Sequence, residues 1–139
     1  MLRYLFDTDH LTLFDQGHVL VSQRWMRLLP DPTAISAITV EEYLRGRLGR
    51  LARARTGAER IRFYGHLAAS VRLFESWEIV PFDQSAEDQF QLLRGQGIRI
   101  GTLDLRIAAI ALAKNLIVVT RNRRDFGKVP GLTIEDWSV

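Results

Sequence analysis

Residues 104–120 read Asp104-Leu105-Arg106-Ile107-Ala108-Ala109-Ile110-Ala111-Leu112-Ala113-Lys114-Asn115-Leu116-Ile117-Val118-Val119-Thr120. From Leu105 to Ala113 the run is apolar nearly all the way round, which predicts a helix buried on most sides rather than one lying on a surface. Leu116 to Thr120 is a continuous β-branched run suited to the centre of a parallel sheet. A buried helix feeding a buried strand is the grammar of an α/β fold.

Working outward, the same alternation repeats with short joints. Tyr4 to Asp7 reads as a first buried strand, and Val19 to Leu29 as a helix that stops before Pro30 and Pro32. Ala34 to Ala37 reads as a second strand, followed by Thr39 as a helix N-cap with Leu44, Leu48 and Leu51 at helical spacing. After a break at Thr56-Gly57, Ile61, Tyr64, Ala68, Val71 and Phe74 mark one stripe of a further helix, giving a helical hairpin. Glu78 to Pro81 is a third strand. Asp83 or Ser85 caps a helix through Phe90, Leu93 and Arg94 that ends at Gly95 and Gly97. Thr133-Ile134-Glu135 adds a last edge strand. No internal repeat or linker interrupts the chain, so residues 1–139 are expected to form a single α/β domain.

Composition narrows the chemistry. With 47% apolar and 25% charged residues in 139, the chain suits one proper core. Cysteine is absent, which excludes disulfides, thiolate zinc sites and a cysteine nucleophile. The three histidines, His10, His18 and His66, include no i, i+4 pair, so a histidine-rich zinc centre is disfavoured. The N-terminal apolar stretch is too short for a signal peptide, and no run approaches the ~18 apolar residues a membrane span requires, so a cytoplasmic protein is expected. The net charge is only +3, but Arg45, Arg47, Arg50, Arg53, Arg55, Arg60 and Arg62 crowd one region and Arg121, Arg123 and Arg124 another. Such fields attract polyanions.

Four carboxylates fall where buried elements begin or end: Asp7, Glu42, Asp104 and Asp125. In one parallel sheet the carboxyl ends of the strands share an edge, where acids remote in sequence can converge. Converging carboxylates repel one another unless protons or a hard cation neutralise them, and Mg²⁺ prefers oxygen ligands. Each acid also has an ordinary structural reading. Asp7, or its neighbour Asp9, can cap the helix that follows the first strand. Thr39-Val40-Glu41-Glu42 fits a capping box, the stronger reading of Glu42 on spacing alone. Asp104 opens an apolar helix, so it is either a cap or an acid that something else neutralises. Asp125 lies among Arg123, Arg124 and Lys128, where a solvated ion pair is the default, with Asn122 in a supporting polar role.

The segments Phe6-Asp7-Thr8-Asp9, Ile35 to Gly46, Ile100 to Ala109 and Val119 to Phe126 resemble, in order and spacing, the successive signature blocks of PIN-domain ribonucleases. In particular they resemble VapC-type toxins of type II toxin–antitoxin systems, and the likeness spans essentially the whole chain. The resemblance implies a PIN-like three-layer domain with a central, mostly parallel sheet of four to five strands flanked by helices. It implies that Asp7, Glu42 and Asp104 match the family's acidic metal-binding positions, with Asp7 and Asp104 binding Mg²⁺, or Mn²⁺ as a substitute, and Glu42 serving as a further ligand or water holder. Position 9 is Asp where this subfamily more often has Asn, and Thr120-Arg121-Asn122 lacks the acid some relatives place there; the resemblance therefore leaves the fourth acid open, with Asp125 as the candidate. The implied activity is endoribonucleolytic cleavage leaving a 5′-phosphate and a 3′-hydroxyl, with arginine-rich surfaces holding the RNA backbone. The implied partners are RNA, a cognate VapB-like antitoxin and a second copy in a homodimer.

Two rival classes are distinguishable. A phosphatase forming an aspartyl-phosphate on Asp7-Thr8-Asp9 wants a later Lys, and Lys114 is poorly placed for it. A non-catalytic basic α/β module binding nucleic acid or protein would keep its affinity after Asp104→Asn.

Overall fold

A computed structural model describes residues 1–29 and 32–139. Its centre is a five-stranded sheet built from β1 (Tyr4–Phe6), β2 (Thr33–Ser36), β3 (Glu78–Val80), β4 (Ile117–Val119) and β5 (Ile134–Glu135), in the order β3-β2-β1-β4-β5. Every pairing is parallel, with Leu5 facing Ala34 and Val118, Ile35 facing Ile79, and Val119 facing Glu135. The helices are α1 (Thr8–Asp15), α2 (Val19–Arg27), α3 (Ala37–Ala52), α4 (Gly57–Glu75), α5 (Gln84–Gly95), α6 (Thr102–Lys114) and α7 (Arg123–Phe126). The stop residue Pro30 lies outside the described residues; α2 itself ends at Arg27.

Because successive strand residues face opposite ways, the sheet feeds two cores. Leu5, Ala34, Val80 and Val118 pack with α5 and α6, whereas Tyr4, Phe6, Ile35 and Val119 pack with Leu11, Val21, Tyr43, Phe74 and Trp137. This is the expected three-layer arrangement. The α6 prediction holds in detail: Leu105 and Ile107 to Ala111 are buried, and Asn115 ends the helix in the left-handed region at φ 54°.

Two local expectations fail. Thr39 is not a cap: α3 starts at Ala37, and the Ser36 hydroxyl accepts the Thr39 N–H at 3.3 Å. The second strand therefore ends at Ser36, and the capping box that would have occupied Glu42 does not form. The stripe expected on α4 is also displaced. Ile61, Tyr64 and Val71 are 78%, 59% and 49% exposed, and only Phe74 is buried. The inward face runs instead through Phe63, Leu67, Ser70 and Phe74, because Arg47 donates to the Ser70 hydroxyl at 3.1 Å and Ser70 donates to the His66 carbonyl at 2.9 Å. A satisfied serine thus sits where an apolar pattern predicts none. In α3, Leu48 is likewise exposed.

The chain runs from β1 through β2 to β3 on one side of the sheet, then crosses to β4 and β5 on the other. The crevice at the carboxyl ends of β1 and β4 is therefore the topological switch point. The N-termini of α1 and α3 follow strands onto that edge, and α6, which leads back into β4, begins there.

Candidate metal centre

Asp7 follows the last residue of β1, and its amide donates to the Val119 carbonyl at 3.1 Å, so the sheet itself fixes its position. Its carboxylate caps α1, accepting the His10 N–H at 2.8 Å. It also accepts a hydrogen bond from the buried Thr120 hydroxyl, which in turn accepts the Asn122 N–H at 2.8 Å. The capping role and the site role therefore coexist in one side chain, only 5% exposed. Burial first, and then the charges of Asp9 and Asp104, push its pKa up to about 7 despite the two hydrogen bonds.

Glu42 projects from the second turn of α3. The Thr8 hydroxyl donates to Glu42 Oε1 at 2.6 Å and lies 3.1 Å from the Thr39 hydroxyl, so the residue once expected as a cap supports this bridge. Asp104 stands in the first turn of α6, whose N-cap is Gly101 with no side-chain cap. Of its two expected roles, capping is ruled out. Burial, followed by Glu42 and Asp125, raises the Asp104 pKa, and a hydrogen bond from Asn122 partly opposes this. Asp7, Glu42 and Asp104 line one open cleft of about 530 Å³, together with Thr8, Asp9, Thr12, Arg121 and Asn122.

Asp125 is placed differently. Asn122 Nδ2 donates to it at 3.1 Å, and Arg124 and Lys128 lie 3.7 and 3.9 Å away, so the expected ion pairing is present. Its charge reaches Asp104, yet its side chain lines the neighbouring cleft rather than the acidic one. Lys114, the residue a phosphatase would need, pairs with Asp83 at 2.8 Å at the opposite end of α6 from Asp104.

A hard divalent cation fits the acidic cleft on the chemistry of its donors. All three acids offer oxygen, and a cation would offset the burial of Asp7 beside like charges, which its two hydrogen bonds only partly relieve. A tighter trio exists in Asp7, Asp9 and His10, whose potential ligand atoms lie within 4.8 Å of one another. Its hydrogen bonding argues against it. The Trp137 N–H donates to His10 Nε2 at 3.2 Å, which puts the proton of the neutral ring on Nδ1, 3.7 Å from Asp7 Oδ1. Burial draws the His10 pKa down to about 4, and the Nε2 lone pair is already taken by the Trp137 N–H. Asp9 is gripped by both forks of Arg121, at 2.7 and 2.8 Å.

Sequence reasoning missed Thr8, Thr120 and the Asp9–Arg121 pair. A hydroxyl within two residues of each central strand's end, at Thr8 beyond Asp7 and at Thr120, is the one signal that could have found the first two.

Comparison with known proteins bears on the family and the fold. A model of the PIN domain matches residues 4–132. The chain is similar to the tRNA(fMet)-specific endonuclease VapC of Salmonella typhimurium, with 28% identity over 99% of each chain. It is also similar to the ribonuclease VapC1 of Haemophilus influenzae strain R2866, 28% identical over 97% of this chain and 98% of that one. Among solved structures, VapBC-1 from nontypeable Haemophilus influenzae superposes with a TM-score of 0.80 at 25% identity, covering 99% of this chain and 100% of that one. DNA-bound VapBC from Salmonella typhimurium gives 0.79 at 26% identity, covering 99% of each chain. A parallel sheet with three acids at its switch point, matched over nearly its whole length by one family model, places this chain in the PIN domain family.

Proposed function

We propose that this chain is an endoribonuclease toxin of the VapC type that hydrolyses RNA phosphodiester bonds with Mg²⁺, or Mn²⁺ in its place, and is held inactive by a cognate VapB-like antitoxin. The observation that carries the reading is the convergence of Asp7, Glu42 and Asp104 on one cleft at the switch point of the sheet. Full-length likeness to named VapC ribonucleases, and to VapBC assemblies, supports the activity and the partner.

In this reading Asp7 and Asp104 hold the ion, and Glu42 completes the set. When bound, a divalent cation supplies the positive charge that acidifies an attacking water and offsets charge on the phosphoryl oxygens. The remaining work belongs to the chain. Thr120 and the His10 amide fix the orientation of Asp7 at the wall of the cleft, so no rotamer search precedes binding. Thr8 holds Glu42 in one pose, ready to orient water for in-line attack. Asn122, donating to both Asp104 and Asp125, sets the spacing of those two acids. Asp125 acts as an outlying acid that tunes Asp104. The products are a 5′-phosphate and a 3′-hydroxyl, with no role for the 2′-hydroxyl as nucleophile.

The test is incubation of purified protein, free of antitoxin, with structured RNAs in Mg²⁺ or Mn²⁺. Cleavage by the wild type and its loss in Asp7→Asn and Asp104→Asn, both still folded, is the expected result. Uncut RNA with wild type in both metals overturns the proposal.

A further inference from the structure

A second cleft, of about 700 Å³, opens between the end of α5, the start of α6 and α7. Its walls carry Arg94, Arg99, Arg106, Arg124 and Lys128 against a single acid, Asp125. Among the described residues, Arg94, Arg99 and Arg106 have no carboxylate within ion-pair distance. Arg94 and Arg106 both lie over the Phe90 ring, 5.5 and 5.4 Å from its centre. Phe90 is buried, so the ring is a platform that holds two guanidinium groups in place and leaves their N–H forks for an outside anion. The start of α6 adds main-chain N–H groups that no side chain caps.

This cleft adjoins the acidic one. Asp125 stands on its wall while acting electrostatically on Asp104, and Thr102, at its lip, is two residues from Asp104 on the same helix. Of these arginines only Arg124 belongs to the two clusters that stand out in the sequence.

We infer that the Arg94–Arg99–Arg106 cleft binds the phosphodiester backbone of single-stranded RNA beside the bond to be cut. The inference rests on the nuclease reading for the identity of the polyanion. A strand whose scissile phosphate sits among Asp7, Glu42 and Asp104 is repelled there by carboxylates, and needs cations alongside to hold it. Planar forks fixed on an aromatic ring suit the bidentate geometry of phosphate, and Arg99 adds a third charge to the same cleft. Arg124 and Lys128, which lie beside Asp125, complete the cleft wall.

The experiment measures anisotropy of a short fluorescein-labelled single-stranded RNA, in EDTA so that the strand stays intact, over a range of salt. Wild type is compared with R94Q/R99Q/R106Q and with a control, R27Q/R72Q, on helices of the other core. The triple variant should bind roughly tenfold or more weakly and lose about 2 from the slope of log K against log salt, at ~0.7 per phosphate contact on a single strand. The control should stay within about twofold of wild type. Should the triple variant unfold, R99Q/K128Q, whose side chains are exposed, replaces it with a smaller loss in the same direction. Unchanged affinity and slope, with wild type cutting RNA in Mg²⁺, overturns the cleft and leaves the nuclease reading standing. If wild type does not cut RNA, the nuclease reading fails, and the anisotropy alone decides the cleft by the same criteria. Polyglutamate binding wild type as tightly as the RNA, and lost to the same extent in the triple variant, would identify a site for an acidic protein segment and overturn the inference.

Discussion

The Thr8 hydroxyl, one residue beyond the acid that follows β1, donates a 2.6 Å hydrogen bond to Glu42 across 34 residues of sequence. The bond ties the first strand's carboxyl end to the second turn of α3 and gives Glu42 a single pose. Thr8→Val keeps the shape and removes the donor. A hydrogen bond to a charged group contributes about 1.5–3 kcal/mol, so RNA cleavage should fall roughly tenfold or more while Thr8→Ser stays near wild type. Initial cleavage rates for the two variants check this; equal rates would mean that Glu42 needs no support.

Asp9 and Arg121 form a two-pronged ion pair, at 2.7 and 2.8 Å, but both side chains are about half exposed. An exposed pair contributes at most about 1 kcal/mol. Asp9→Asn should therefore move the urea midpoint little and leave the stabilisation by Mg²⁺ intact, whereas Asp104→Asn should abolish that stabilisation. Paired melts with and without Mg²⁺ separate the two candidate ion-binding sets. Loss of the metal effect in Asp9→Asn would favour the Asp7, Asp9 and His10 trio.

The titration of Asp7 sets a pH dependence. Its folded pKa of about 7 lies above the ordinary 3.8, so between these values the folded protein keeps a proton that the unfolded chain has released. Metal-free stability from this group therefore falls as pH rises from about 4 to about 7, then levels off. His10 slopes the other way. Its folded pKa of about 4 lies below 6.5, so its burial destabilises the protein as pH falls through that window. Asp7→Asn removes only the first effect. Relative to wild type the variant should gain a few kcal/mol of stability between about pH 4 and about pH 8, at about 1.4 kcal/mol per unit of pKa shift, and saturating Mg²⁺ should close that gap. Urea titrations across the range read both trends; a constant difference at all pH values would show that Asp7 ionises normally.

The displaced stripe on α4 gives a stability test. Phe74→Ala should cost about 3–5 kcal/mol, while Ile61→Ser and Tyr64→Ser, on the exposed side, should each stay within about 0.5 kcal/mol. Chemical denaturation of the three variants checks it. A large loss at Ile61 would restore the face expected from the apolar spacing.

Much of the fold was legible because local pattern and tertiary role coincide. The buried run of α6 and β4 needs no context to be read, and Asp83 and Gly97 mark the ends of α5 as their chemistry dictates. Where a polar residue takes a buried place, the pattern misleads. Ser70, satisfied by Arg47, hid the inner face of α4, and Ser36, capping α3, left Thr39 looking like the cap. In the site, the acids were visible as residues at element joints. Their supports were not, because Thr8 meets Glu42 across 34 residues, Asp9 meets Arg121 across 112, and Trp137 fixes the His10 tautomer across 127. No local periodicity encodes such pairs. Resemblance to a family identified the acids as a set; only the folded chain reveals what holds each one.

The central claim is that Asp7, Glu42 and Asp104 gather one divalent ion at the switch point of the sheet. The most direct measurement is anomalous scattering from crystals of the protein soaked in Mn²⁺. The account predicts a peak within coordinating distance of Asp7 and Asp104 carboxylate oxygens in wild type and no peak in Asp104→Asn. A Mn²⁺ peak seated on Asp9 and His10, or an empty cleft at saturating Mn²⁺, would contradict it.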